Sequence, residues 1–239
     1  MTGRIDVHSH LLPGIDDGCK SVEESIACAR VLVENGYTHA FCTPHIWAKY
    51  EGVSRTSVPN WCMALQKEYD KAGVPLKLLP GGELNLFLGV EKTPEEDIVP
   101  LGLGHYILVD LWAALLPPFF ESAIQWLQGL GLKIVLAHPE RMRAVQDNPD
   151  LVDYFQSLNI YLQGNLQCFG DKPEAATRQC AEQFLKDGKY FLIGSDTHSP
   201  DSMDVRIRGL HRVIEMVGES GATELISDNP RKLLLEGFE

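Results

Sequence analysis

Short apolar runs recur along this chain. Each is followed by a longer stretch whose apolar residues return every three or four positions. The runs at 5–7 (IDV), 40–43 (AFCT), 76–81 (LKLLPG), 106–111 (YILVDL), 133–138 (KIVLAH), 160–163 (IYLQ) and 190–195 (YFLIGS) predict strands. The stretches 21–36, 58–73, 119–131, 148–159, 173–188, 204–221 and 229–237 predict helices. Their ends carry the expected chemistry. Ser21 with Glu24 three residues later forms a capping box, Gly36 and Gly73 close two helices, and Pro230 opens the last. Seven strand-then-helix units predict a mainly parallel sheet. No Pro/Gly/Ser-rich linker separates them, so the expectation is one α/β domain over residues 1–239. A closed barrel is preferred to an open doubly wound sheet. The glycines spell neither G-x-G-x-x-G nor a P-loop, which removes the nucleotide-binding fingerprint of the open form.

A barrel of this kind places its active site at the C-terminal ends of the strands. The chain begins with RIDVHSHLLPGIDDG, so a strand runs straight into His8-Ser9-His10. Residues two apart on a strand share a face, which lets both imidazoles meet one point. His45 ends the second strand, His138 the fifth, and His198 follows the seventh. Asp17, Glu83, Asp110 and Asp196 lie at or just after strand ends. His39 and His105 fall at strand starts and His211 inside a helix, so these three are read as structural or solvent-exposed. Singly, each acid reads equally well as a helix cap, a buried acceptor or a solvated loop residue. Together, nine His/Asp/Glu side chains on one rim make a costly cluster unless cations neutralise it. Mixed imidazole and carboxylate ligands without thiolate suit Mn²⁺, Fe²⁺ or Zn²⁺, and nine ligands exceed what one ion takes, which implies two or three ions.

Composition narrows the rest. The formal net charge is -12 over 239 residues, which repels nucleic acid and anionic membranes. The start of the chain shows no signal-type apolar region and no apolar run is long enough to span a bilayer, so a cytoplasmic protein without membrane insertion is expected. The six cysteines form no C-x-x-C pair and read as scattered thiols. None has an arginine at C-x5-R spacing, which argues against a cysteine phosphatase.

The stretches DVHSHLLPGIDDG, SVEES, TPH, GGEL, AHPER and SDTH, spread from residue 6 to 198, resemble the PHP (polymerase and histidinol phosphatase) superfamily. Within it they are similar to the manganese-dependent protein tyrosine phosphatases of bacterial capsule and exopolysaccharide systems, the CpsB type. The resemblance implies a distorted seven-unit TIM-like barrel and a trinuclear Mn²⁺ centre. It implies a first ion on His8, His10, Glu83 and Asp196, a second on Glu83, Asp110 and His138, and a third on Asp17, His45 and His198. Arg141 would bind phosphate, joined by Arg206 in preference to Arg208. The implied reaction is hydrolysis of phosphotyrosine by a metal-bridging hydroxide. The implied partner is a phosphotyrosine protein such as the tail of a bacterial tyrosine kinase, with oligomerisation left open. Two departures stand out. The family usually carries Glu where this chain has Asp110, one methylene shorter. The segment IWAKYEGVSR after TPH is also unlike the expected substrate entrance, and a solvated loop is preferred there to substrate contacts from Lys49, Tyr50 and Arg55. Gln163 and Asn165 occupy a polar rim position. The rivals are another PHP phosphoesterase acting on histidinol phosphate or a small ester, an amidohydrolase, and a binding module with a structural metal. The amidohydrolase reading is weakened because the fourth strand ends in VDLW, without the lysine many of those enzymes use.

Overall fold

The structure, a computed structural model, describes residues 3–172 and 175–234. The start of the helix expected at 173 and the end of the one expected at 237 therefore lie outside the described residues. The elements run β1 (Arg4–Asp6), α1 (Val22–Glu34), β2 (Tyr37–Cys42), β3 (His45–Ile46), α2 (Ser57–Lys71), β4 (Lys77–Pro80), β5 (Glu83–Asn85), β6 (Tyr106–Asp110), α3 (Phe120–Gly129), β7 (Lys133–Ala137), α4 (Arg143–Asp147), α5 (Leu151–Ser157), β8 (Ile160–Asn165), α6 (Leu166–Gly170), α7 (Ala176–Lys186), β9 (Leu192–Gly194), α8 (Met203–Thr223) and α9 (Asn229–Lys232). Among the described residues, no helix is long and apolar enough to cross a membrane.

All strand pairs are parallel, in the orders β1-β2-β4 and β3-β5-β6-β7-β8-β9. The two arcs are halves of one barrel. Past the end of the second predicted strand pairing resumes, so that β2 and β3 are parted at Thr43-Pro44, and past the third, so that β4 and β5 are parted at Gly81-Gly82. Proline has no N–H for the ladder. The glycines let the backbone pass close to Leu101 and Ile46, whose side chains would lie 2.9 and 2.6 Å from an added Cβ. Beyond β1 and β9 the ring closes through a parallel bridge between Ser9 and Thr197. There Asp196 N–H donates to His8 O at 2.7 Å and His10 N–H to Thr197 O at 2.8 Å.

Alternation along the strands sorts the core into two parts. Ile5, Val7, Phe41, Leu108, Val135, Ala137 and Leu192 face the barrel lumen, closed at one end by Leu101, Leu233 and Leu234. Ile107, Val109, Ile134 and Leu136 face outward and pack beneath the helices with Leu32, Leu65, Phe120, Phe155 and Phe184. The lumen is thus apolar at its floor, and the buried His, Asp and Glu side chains crowd the strands' C-terminal ends.

Helix starts follow the sequence closely but not uniformly. Ser21 caps α1 by accepting from Glu24 N–H, while the Glu24 carboxylate takes the N–H of Lys20. The helix expected at 148–159 is the shorter α5, and a further short helix, α4, precedes it across Asn148 and Pro149. Helix α6 was not foreseen. It crosses α8 so closely that a Cβ on Gly209 would sit 1.9 Å from Leu166 O.

Candidate metal centre

His8 and His10 leave β1 with their rings buried, and their Nε2 atoms stand 3.2 Å apart. Each ring is fixed through its other nitrogen. His8 Nδ1 faces Gln163 Oε1 at 2.8 Å and His10 Nδ1 faces Asp16 Oδ2 at 2.7 Å. With those contacts made by Nδ1–H, both Nε2 lone pairs point into one space, an arrangement that repels unless a proton or cation lies between.

Glu83, at the start of β5, is the hub. Its Oε1 lies 3.1 Å from His138 Nε2, and its Oε2 lies 3.4 Å from His8 Nε2 and 3.5 Å from His10 Nε2. His45 Nδ1 is 2.7 Å from Glu83 Oε2 but poorly aligned, so both atoms are buried without a hydrogen-bond partner. Asp196 Oδ1 is 3.4 Å from both His8 and His10 and 3.3 Å from His198 Nδ1. Asp17, half exposed on its loop, reaches His45 Nε2 at 3.3 Å and His198 Nε2 at 3.6 Å. Four groups have potential ligand atoms within 4.8 Å of one another: His10-Asp17-His45-His198, His8-His10-Asp196, His8-Glu83-His138 and His45-Glu83-Asp110. All nine sequence candidates fall in these groups, and His39, His105 and His211 fall in none.

The donor set fits divalent cations. It holds hard and borderline N and O ligands, no cysteine, and two orphaned buried atoms where a cation would give them a partner. Electrostatics agree. Burial depresses the His8 imidazole, but Glu83 and Asp196 outweigh it and raise its pKa overall. Burial likewise opposes His10, and Asp16 raises it well above the usual value. Glu83 and Asp196 are pushed up by burial and pulled well below the carboxylate range by the surrounding histidines. The carboxylates thus favour positive charge at His8 and His10, in the places cations would serve.

Two of these residues have left-handed backbone, His138 at φ 36° and Asp196 at φ 53°. Non-glycine residues there carry strain that surrounding contacts must hold. His138 N–H donates to Gln163 O at 2.7 Å. Beneath Asp196, the buried Arg206 donates to Ser195 O at 2.8 Å, to Ser202 O at 2.9 Å and to Asp196 O. Arg206 was expected to meet phosphate, but the structure turns its guanidinium onto main-chain carbonyls under the seventh strand's end. Arg208 lies on the far side of α8, paired with Asp204 and lining a cleft with Arg178 and His211. Of the three, Arg141 meets a carboxylate of the cluster, with Nη1 2.8 Å from Asp196 Oδ2.

Asp110 is buried, accepting from Asn85 Nδ2 at 3.0 Å and from Trp112 Nε1. Burial, then the charge of Glu83, pushes its carboxyl up to about 7. Its side chain reaches the cluster, but its oxygens are already shared with two donors. In the entrance segment, Arg55 Nε donates to Ile98 O at 2.7 Å, which makes it a loop brace. Lys49 Nζ sits over the rings of Trp47 and Tyr50 at 4.2 and 4.5 Å, and Trp47 stacks on His45.

Several supporting residues escaped the sequence reading. Asp16 was seen only as the neighbour of Asp17. It accepts from His10, from Gly18 N–H at 2.9 Å and from His45 N–H at 3.0 Å. Gly18 is required beside it, since a Cβ there would lie 2.3 Å from His10 O. Glu140, buried in the HPER turn, accepts from Asn165 N–H at 2.7 Å and Tyr190 Oη at 2.9 Å. Asn165 Nδ2 in turn donates to Asp196 Oδ2 at 2.7 Å. Asp6 takes Ser195 N–H at 2.8 Å, holding the last strand end to the first. Paired Asp16-Asp17 and the Glu of HPER were the available signals.

Comparison with known proteins agrees with this geometry. The tyrosine-protein phosphatase YwqE of Bacillus subtilis is 29% identical over 238 residues, covering 96% of this chain and 91% of its own. The tyrosine-protein phosphatase CpsB of Streptococcus pneumoniae is 26% identical over 243 residues, covering 97% and 98%. A solved structure described with the metal-dependent tyrosine phosphatases YwqE and CpsB superposes at TM-score 0.86, with 24% identity over 98% of this chain and 96% of that one. A D-hydantoinase superposes at TM-score 0.53 with 11% identity, covering 96% and 70%, which shows a shared barrel fold. The family described as capsular polysaccharide synthesis, CpsB/CapC, matches residues 4–235, and this chain belongs to it.

Proposed function

We infer that the chain is a metal-dependent phosphoesterase that hydrolyses phosphotyrosine in proteins. The observation that carries this reading is the placement of Arg141 against the nine-residue His/Asp/Glu cluster, on the same strand-end rim of a chain in the CpsB/CapC family. We assign His8, His10, Glu83 and Asp196 to a first ion, Glu83, Asp110 and His138 to a second, and Asp17, His45 and His198 to a third, with Mn²⁺ the preferred metal and Fe²⁺ or Zn²⁺ the alternatives. Bound divalent ions supply an activated water and polarise the phosphoryl oxygens.

The chain's own residues do the rest. Gln163 and Asp16 hold His8 and His10 in the tautomer that frees Nε2. The Arg141 guanidinium, its Nη1 on Asp196, presents fixed positive charge where the equatorial oxygens gain charge in the transition state. Arg206 is assigned to positioning, because its N–H groups fix the strained Asp196 loop. A phenol of pKa about 10 leaves without a strong general acid, which favours aryl over alkyl esters. No cysteine lies in the ligand groups, so no thiol nucleophile is assigned. The substrate we favour is a phosphotyrosine tail of a bacterial tyrosine kinase, met in the cytoplasm.

The test is turnover of a phosphotyrosine peptide with added Mn²⁺, beside a chelated sample, a phosphoserine peptide and histidinol phosphate. Mn²⁺-dependent, chelator-sensitive hydrolysis with phosphotyrosine fastest is expected. Activity surviving complete metal removal, or equal rates on phosphoserine and phosphotyrosine, refutes it.

A further inference from the structure

A cavity of about 330 Å³ opens directly beside the cluster, lined by His138 and Arg141 next to the cluster, by Leu111, Trp112, Ala113 and Met142 along its walls, and by Arg143, which is paired with Asp147 at 3.0 Å. Leu111 and Met142 are buried, while Trp112 is 60% exposed among the described residues, an unusual position for a tryptophan. The ring is nevertheless held. Its Nε1–H donates to Asp110, and it meets Trp47 edge-on with centroids 6.1 Å apart at 82°. Arg141 joins the two halves of the cavity. Its Nη1 is on Asp196, and its Cζ lies 5.4 Å from the Trp112 ring centroid.

We propose that this cavity is the slot for the ring of the phosphorylated tyrosine, with Trp112 as its specificity-determining wall. The proposal rests on the phosphotyrosine reading above. A phosphoryl group seated against Arg141 and the cluster must send its ester substituent outward past Trp112 and Met142. Those walls suit an aromatic ring, through stacking on the indole and contact with the thioether. The cavity is lined by no hydroxyl, amide or carboxylate side chain. Arg143 apart, a sugar phosphate would turn its hydroxyls towards the apolar Leu111, Trp112, Ala113 and Met142, which costs binding. In a family tied to polysaccharide synthesis, that disfavours the obvious competing substrate class. The size also matches the lower end of small-molecule sites, enough for a side chain and not for an oligosaccharide.

The experiment compares Trp112→Ala and Trp112→Phe with wild type. KM and kcat are measured on a phosphotyrosine peptide and on glycerol phosphate, and dissociation constants for phenylphosphonate and methylphosphonate by calorimetry on the metal-loaded protein. Trp112→Ala should raise KM for the peptide about tenfold relative to that for glycerol phosphate, and erase a similar preference for phenylphosphonate. Any effect of losing the N–H bond to Asp110 acts on both substrates and cancels in the ratio. Trp112→Phe, which keeps a ring without the N–H, should recover most of the preference. An unchanged ratio in Trp112→Ala, a Phe variant as impaired as Ala, or equal affinity of wild type for the two phosphonates overturns the slot. If wild type turns over neither ester, the phosphatase reading fails, and the phosphonate affinities still decide whether the slot exists.

Discussion

Asp16 is not among the nine cluster residues, yet exchanging it for asparagine should weaken metal binding markedly. Its Oδ2 accepts from His10 Nδ1–H at 2.7 Å and from His45 N–H at 3.0 Å, and its Oδ1 from Gly18 N–H at 2.9 Å. An asparagine has one oxygen for three donors. If the oxygen keeps His10 and His45, the amide NH₂ faces Gly18 N–H. If it keeps Gly18, the NH₂ faces the other two. One or more donors thus lose their acceptor, at about 1 kcal/mol each for a neutral bond. The bond to His10 also changes from charged to neutral acceptor, worth about another 1 kcal/mol. The total is roughly 2 kcal/mol, or about thirtyfold in metal affinity, inside the range usual for a residue that orients a metal-binding histidine. The measurement is a metal-buffered Mn²⁺ titration by calorimetry, with thermal melting of the metal-free protein beside it. Wild-type metal affinity in Asp16→Asn would refute the claim that this carboxylate sets the His10 tautomer. Lost affinity with a collapsed apo melting temperature would mean that Asp16 holds the fold and not the ligand.

Other outcomes follow from the same geometry. Arg141→Ala should lose roughly 2–4 kcal/mol of transition-state stabilisation, read from kcat/KM, while elemental analysis finds normal metal content; depleted metal would refute the phosphate role. Because the folded pKa values of His8 and His10 are raised, protons compete with cations for these imidazoles. Calorimetry in buffers of different ionisation enthalpy should therefore show proton release on Mn²⁺ binding and an affinity that falls as pH falls; binding without proton release contradicts this. Glu182 accepts from Arg212 and Arg178, which lower its carboxyl to about 2 from its ordinary 4.5. Its folded pKa is depressed, so its contribution is full above about pH 4.5 and is lost as pH falls towards 2. Screened by solvent, it should amount to about 1 kcal/mol, visible as a loss of acid stability that Glu182→Gln lacks. Alkylating reagents applied to the native enzyme should leave activity intact, since Cys19, Cys28, Cys42, Cys62 and Cys168 are buried and none joins a ligand group; rapid inactivation by one equivalent would reopen thiol chemistry.

The seven-unit barrel was legible because each strand is a buried apolar run ending in a turn signal, and because local period and strand-end chemistry agree. The break of β2 from β3 and of β4 from β5 was not, since a Thr-Pro or Gly-Gly step reads as a strand end until the neighbouring chain shows that pairing resumes. The cluster residues were visible because residues at a predicted strand's end, or in the loop just after it, must lie on the rim. The main-chain contacts of Arg206 were not legible because a helix residue's direction depends on the packing of α8 against α6, set by the glycine contacts at Gly170 and Gly209. Asp16, Glu140 and Asp6 were missed because a supporting carboxylate has no periodicity of its own. It is defined by which N–H groups the fold brings to it.

The closing seam of the barrel has a consequence in time. His8 and Asp196 come from opposite ends of the ring, and the Ser9–Thr197 bridge joins strands separated by nearly the whole sequence. Such a contact repays its loop-closure cost last. A nascent chain cannot assemble the His8-His10-Asp196 group until the seventh strand has left the ribosome, and Arg206 follows ten residues later to lock it. Shorter fragments hold some ligands and never the set. A cation bound across that seam would act as the hoop of a cask, tightening staves that are otherwise joined there by a few backbone bonds. Metal supply would then govern how fast the ring springs open as well as how fast the enzyme turns over.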